Sequence, residues 1–441
     1  MPSTKCDIYF ENNPHGIYYA GQNVSGSVEL TTSRPKTIRS IHITINGFAD
    51  VRWVENIYKV NAQGKREKLP ETFSATEEYI AKQIHVIPHS AEGSIELPAG
   101  KYTFPFSAQI PSTAPSSFNG TLGQIRYEIV LTIDRPIRYD NIFKQPFTVI
   151  SSYDLNTNHS LECNVEQIEE KQFCCNFLPF CEKNNHMVLQ VNLPLSGATP
   201  GQRTKFNVFL DNQSNADCSE IKVRLMKCVT YTCKTPEIKT RTVETKVADT
   251  KLGSVDRHNS MKVDEYIIIP STPPTTDGQS QVVQISYNLH FVAKVSGLHR
   301  DFNVNFPFVI GTVPLFSSLK DTNGVVSLQP GSKESYNSLP IPTYEEDVNR
   351  KEMFKDNDEF NKYSKLKEFI PMYPVYRDGE PGRSDSGYPN HPPMWEVTTK
   401  PKHHAPPVPG NIGFVAPYPP PLGKDNDKGP KIGWRSSIHE K

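Results

Sequence analysis

The chain repeats itself. AGQNVSGSVEL, beginning at Ala20, answers TPGQRTKFNVFL, beginning at Thr199, with Gly21 and Gln22 against Gly201 and Gln202 at an offset of 180. IPSTAP from Ile110 answers IPSTPP from Ile269, Tyr127 answers Tyr287, and Pro146-Phe147 answers Pro307-Phe308, at offsets of 159, 160 and 161. Four blocks in the same order mark an internal duplication, so both halves are expected to take one fold. The drop in offset places about twenty extra residues in the first half, between Ala49 and Gly100. That stretch contains NAQGKREKLPETF and reads as a long loop, made basic by Lys65, Arg66 and Lys68, of the kind that carries binding contacts.

Each half alternates apolar and polar residues with the period of a half-buried strand. Ile41, Ile43 and Ile45 do so, as do Ile125, Tyr127, Ile129, Leu131 and Ile133. Met187, Leu189, Val191 and Leu193 repeat the pattern, followed by Val283 to Val295. Such strands pair into antiparallel sheets packed face to face. Helical periodicity is absent before about residue 345. The reading is therefore all-β: two tandem β-sandwiches, at 1–155 and 185–315, joined by 156–184.

After Leu315 the alternation fades, and about half of the 38 prolines fall there, with runs such as APYPPPL. Residues 316–441 are expected to be a disordered, Pro-rich tail, because such a composition cannot bury enough apolar surface to fold alone. Extended Pro-rich segments dock into aromatic grooves such as those of WW and SH3 domains. Within the tail, EEDVNRKEMFKDNDEFNKYSKLKEF is compatible with a solvated helix.

The matched blocks also carry a family resemblance. DIYFENNPHGIYYAGQNVSGSVEL, LPAGKYTFPFSAQIPSTAPSSFNGTLGQIRYEI and FPFVIGTVPL resemble the opening, the end of the first domain and the close of the second domain of the alpha-arrestins. The resemblance implies two tandem immunoglobulin-like (arrestin-type) β-sandwiches and an adaptor role. The sandwiches would engage membrane receptors or transporters, and Pro-Pro-x-Tyr motifs in the tail would recruit HECT-type ubiquitin ligases through their WW domains. It implies a cytoplasmic protein drawn to plasma and endosomal membranes without inserting. Two segments fall where the family carries its motifs: LPIPTYEED, with Pro342 and Tyr344, and EFIPMYPVYRD, with Pro371 and Tyr373. Isoleucine, Ile341 and Ile370, stands in place of the first proline of each, which should fit the WW groove less well and be less pre-organised. Two weak sites on one chain can still gain by avidity. Tyr376 and Tyr418 are weaker candidates.

Charge and motifs narrow the rest. Lys and Arg number 48, as do Asp and Glu, so no net field draws the chain to nucleic acid. No apolar run approaches the ~18 residues of a membrane span, and Met1 to Asn12 has no signal-peptide h-region, so residence in the cytosol is expected. Eight cysteines are too sparse for a disulfide scaffold. Cys174, Cys175, Cys181 and His186 lie within 13 residues and form a weak candidate for a zinc site, because adjacent cysteines are poorly spaced for tetrahedral ligation. No P-loop, H-E-x-x-H, G-x-S-x-G or dinucleotide turn is found, so neither an enzyme nor a cofactor is expected. Two rival readings remain: a ligase-independent, retromer-like coat component, and a redox regulator binding thioredoxin through Cys218, Cys228 or Cys233.

Overall fold

The computed structural model describes residues 4–62, 64–89, 93–173, 185–297, 299–319, 336, 339–350, 354, 369–377 and 389. Apart from short 3-10 turns, every named element in them is a β-strand.

In the first sandwich Thr4–Phe10, Asn23–Thr32 and Gly100–Gln109 form a three-stranded antiparallel sheet. Facing it, the order is Ile17–Tyr19, Asn141–Ile150, Gly123–Asp134, Ser40–Val60, Arg66–Ile87. The second sandwich places Val165–Gln172, His186–Leu193, Arg203–Asn212 and Asn259–Ile268 in one sheet. Its other sheet runs Gly197–Ala198, Phe302–Ile310, Val283–Val295, Cys218–Cys233, Lys239–Val255. The two larger sheets thus share one plan: a short parallel strand, the last two strands of the half, then both arms of a long hairpin. Alternation along the strands turns one face inward. Ile41, Ile43, Ile45, Ile129, Leu131, Ile133, Leu189, Val191, Leu289 and Phe291 are all fully buried, each worth about 1.5–3 kcal/mol of burial relative to exposure.

The repeated blocks are one device built twice. Gly21 and Gly201 take left-handed φ of 91° and 92°, a region that glycine enters without a Cβ penalty. The Gly21 N–H donates to the Ile110 carbonyl at 3.1 Å and the Gly201 N–H to that of Ile269 at 2.7 Å, which ties each Gly-Gln turn to its own IPST loop. The glutamine side chains accept from the backbone of Tyr19 at 2.8 Å and Thr199 at 2.9 Å. Tyr127 donates to the Pro115 carbonyl at 2.8 Å and Tyr287 to that of Pro273 at 2.6 Å. Each tyrosine thereby pins the proline loop of its own half over its sheet.

The extra residues of the first half do not make the loop expected from the sequence. They lengthen the hairpin, whose arms of 21 and 22 residues face arms of 16 and 17 in the second half. The connection from Ile87 to Gly100 is also longer than that from Val255 to Asn259. Beyond the buried face the alternation gives way to polar and mixed residues, yet the backbone stays paired from Ile41↔Ile87 to Val60↔Arg66. Lys65 adjoins the turn, and Arg66 and Lys68 lie in the ladder. The joining stretch 156–184 also contributes structure, since Val165–Gln172 is an edge strand of the second sandwich.

The two sandwiches share an interface. Ser74 donates its N–H to the Thr235 carbonyl at 2.9 Å and accepts from Lys234 and Thr235 at 3.1 Å. Tyr79 donates to the Ser280 hydroxyl at 2.9 Å, and Lys239 pairs with Glu55 while lying 4.7 Å above the Phe73 ring. One continuous apolar cluster runs from Val24 through Phe73 and Tyr231 to Ile310, so the two cores are joined.

Candidate functional site

Among the described residues after Leu315, the turn Phe316–Leu319 and two strands belong to the folded body. Thr343–Glu346 and Met372–Val375 pair antiparallel, with Tyr344 opposite Pro374 and Glu345 opposite Tyr373. The two Ile-Pro-x-Tyr cores, 29 positions apart in sequence from Tyr344 to Tyr373, therefore form one ribbon. Their composition suits it. A residue before proline is held extended, and Thr and Tyr favour the pleated backbone. Pro374 has no N–H to give, a lack that a two-stranded ribbon tolerates at its open edge.

The ribbon lies on the seam between the sandwiches with its motif residues inward. Pro342 and Pro371 are buried, Tyr344 is 5 % exposed and Tyr373 is fully buried. Tyr344 packs with Ile17, Tyr19 and Ile150, and its hydroxyl lies 2.7 Å from that of Tyr19. Tyr373 donates to the Ser117 carbonyl at 2.9 Å. These anchors belong to the first sandwich.

The second sandwich holds the other side. Tyr376 donates its hydroxyl to the Thr312 carbonyl at 2.9 Å and its N–H to the Pro200 carbonyl at 2.7 Å. A Cβ on Gly201 would stand 2.4 Å from the Tyr376 carbonyl oxygen, so the glycine leaves the room that this strand end occupies. Ser271, in the second IPST loop, donates to the Glu345 carbonyl at 2.8 Å and accepts from the Val348 N–H at 2.9 Å. Both copies of the repeated device thus contribute to the seat.

A buried charge completes it. Lys227, on the hairpin arm Cys218–Cys233, is 2 % exposed, and its ammonium lies 3.4 Å from the Asp347 carboxylate and 5.7 Å from the Phe118 ring centre. One lysine thereby joins the second sandwich, the first sandwich and the tail. Burial holds the phenols of Tyr19, Tyr344, Tyr373 and Tyr376 well above the ordinary tyrosine range, so they keep their protons even where an exposed tyrosine would begin to ionise. At the outer end Phe354 donates its N–H to Asn119 at 2.9 Å, under the Arg52 guanidinium.

Comparison with known proteins matches residues 6–156 to the family model "Arrestin (or S-antigen), N-terminal domain" and residues 183–315 to "Arrestin (or S-antigen), C-terminal domain". The chain is 27 % identical over 329 residues to arrestin domain-containing protein 17 of Caenorhabditis elegans, covering 71 % of this chain and 72 % of that protein. It is 26 % identical over 370 residues to arrestin domain-containing protein 4 of Homo sapiens, covering 83 % of this chain and 84 % of the relative. The chain belongs to the arrestin domain-containing proteins, the alpha-arrestins. The match to the human relative is longer than residues 6–315 and so runs past the sandwiches.

The basic candidates of this alpha-arrestin lie apart from the seam. Lys65, Arg66 and Lys68 are exposed at the far end of the first hairpin, beside exposed Tyr58, Val60 and Leu69. Lys59 there pairs with Glu71 at 2.7 Å. His186 opens the strand His186–Leu193, whereas Cys174, Cys175 and Cys181 lie outside the described residues, as does Tyr418. Most of the segment expected to be helical is likewise outside them, apart from its two ends and Phe354. Cys218, Cys228 and Cys233 are buried, and burial pushes the thiols of Cys218 and Cys233 up to about 11.

Sequence reasoning missed the receiving half of the site. Ser271 lies in a repeated block, but neither it nor Tyr19, Ser117, Lys227 or Thr312 carries a pattern that marks a seat for the tail. A faint signal existed in Lys227, a charge inside the alternating run Ile221, Val223, Leu225 and Val229 that leads to Tyr231.

Proposed function

We propose that this alpha-arrestin is a non-enzymatic adaptor that links a membrane receptor or transporter to a HECT-type ubiquitin ligase, for ubiquitination, endocytosis and endosomal sorting. The observation that carries the reading is the presence in one chain of two arrestin domains and two Pro-x-Tyr cores. A WW domain reads the ring of proline and the phenol of tyrosine on an extended strand, and Pro342, Tyr344, Pro371 and Tyr373 supply both. The cargo contact is assigned to the open faces of the sandwiches. On the second, Glu166, Gln190, Asn192, Asn207, Lys262 and Asp264 line a polar groove suited to a cytosolic peptide.

The hairpin tip bearing Lys65, Arg66 and Lys68 is assigned to anionic lipid or phosphorylated cargo. Basic heads beside exposed Tyr58 and Val60 suit a membrane surface better than apolar residues alone. The protein would then work in the cytoplasm and be recruited to plasma and endosomal membranes. The thioredoxin alternative is disfavoured by thiols that are buried and poorly ionised, since exchange needs an accessible thiolate.

Proximity labelling in living cells tests the reading, with wild type beside the double variant Tyr344→Ala and Tyr373→Ala. Loss of ligase labelling with cargo labelling retained is expected. Unchanged ligase labelling, or stoichiometric coat subunits with no ligase, would overturn it in favour of a coat component.

A further inference from the structure

We infer that the seam is a binding site for the chain's own Pro-Tyr ribbon, and that seating there and capture by a WW domain exclude one another. The inference rests on the adaptor reading for the identity of the competing partner. It rests on the structure alone for the seat.

The exclusion follows from which groups each site needs. A WW groove takes the proline ring, the phenol and an extended backbone. In the seam both prolines are buried, the phenols bond to Tyr19 and Ser117, and the two backbones pair with each other. A phenol bonded to Ser117 cannot also lie in a groove on another protein. The overlap is complete at Tyr344 and Tyr373, so there is no partial docking that satisfies both.

The receiving side is built for the ribbon. Lys227 belongs to the second sandwich and is 2 % exposed, yet its carboxylate partner comes from the tail. With the ribbon seated the ammonium is buried, and a buried ammonium is costly unless paired, so Asp347 offsets the cost of covering Lys227. Gly201 leaves space for the Tyr376 backbone, and Ser271 gives and takes a hydrogen bond with the strand and its exit. Bonds, space and charge converge on one occupant, residues 342–350 with 371–377.

The isoleucines then acquire a direction. Ile341 and Ile370 weaken the WW fit, while the buried tyrosines strengthen the seam, so the seated state prevails until a ligase or cargo shifts the balance. Binding is reciprocal: whatever loosens the seam raises ligase affinity, and ligase capture removes a brace between the sandwiches by the same factor.

The test compares one ligase WW domain against three ligands by fluorescence anisotropy. These are a peptide of residues 339–377, the full chain, and the full chain with Asp347→Asn or Ser271→Ala, which spare all four motif residues. A ribbon seated nine-tenths of the time weakens the full chain about tenfold relative to the peptide. Both variants should move back toward the peptide value. Hydrogen exchange at Thr343–Glu346 and Met372–Val375, slow in the wild type, should accelerate in both without any WW domain. Equal affinity of peptide and wild-type chain overturns the exclusion. A peptide that ignores the WW domain sinks the ligase reading. In that case slow wild-type exchange that accelerates in both variants still supports the seam as the tail's site, and fast wild-type exchange overturns it.

Discussion

At Gly201 a left-handed φ of 92° and the Tyr376 carbonyl 2.4 Å from an added Cβ act on the same atom. Gly201→Ala should therefore cost more than the about 1–2 kcal/mol of the backbone conformation alone, and should also unseat Tyr376. Chemical denaturation reads the first effect and exchange at Val375 and Tyr376 the second. Gly120 sets a similar limit, since its Cβ would stand 2.2 Å from the Tyr231 hydroxyl of the other sandwich. Gly120→Ala should weaken the interface by about 1–3 kcal/mol, as overpacking does; an unchanged denaturation midpoint would contradict this. Residues of this kind were half legible in the sequence. The Gly21 and Gly201 pair announced itself by repetition, whereas Gly120 did not, because its constraint comes from a tyrosine more than a hundred positions away. The motif tyrosines read in the sequence as candidate ligands for other proteins, and nothing local in it marked their packing against the chain itself.

The long hairpins carry the next set of consequences. Trp53 and Phe73 stack at 5.9 Å on the first hairpin, and Phe73, 1 % exposed, lies under Lys239 of the second. Phe73→Ala should cost about 3–5 kcal/mol, seen as a lowered denaturation midpoint. At the hairpin's other end His42 faces His85 with ring centres 5.9 Å apart. Burial first and His85 second hold His42 below the ordinary imidazole range, against the pull of Asp134 and Asp140; burial likewise lowers His290. A depressed folded value means the unfolded chain takes the proton first. Stability from these groups is full above about pH 6.5 and falls as pH drops from there toward the folded values. Thermal midpoints should decline across that window, and less steeply in His42→Gln. A slope unchanged by the substitution would remove His42 as the cause. The hairpin's existence was readable from alternation, but its reach was not: NAQGKREKLPETF is polar on both faces, and period-two patterning vanishes where neither face is buried.

Across the whole molecule, the shared apolar cluster makes the sandwiches one cooperative body. Trp53 fluorescence, read in a chain carrying Trp395→Phe and Trp434→Phe, and far-ultraviolet circular dichroism should report a single coincident denaturant transition; two separated transitions would show independently stable halves. The fold was legible in the sequence because duplication and alternation are local properties of strands. The seam was not, because it forms only where the second copy of each block meets the first and where a third segment fills the gap. Duplication left two equivalent turns at that gap, but the inserted ribbon has a direction, and a directional guest cannot treat equivalent hosts alike. Tyr19 therefore meets a phenol, while Thr199, its counterpart at the same offset of 180, donates inward to Gln202. The halves have ceased to be interchangeable. A chain built from two copies of the first sandwich would keep its cores and yet lack Lys227, Pro200 and Ser271, the groups that hold Asp347, Tyr376 and Glu345.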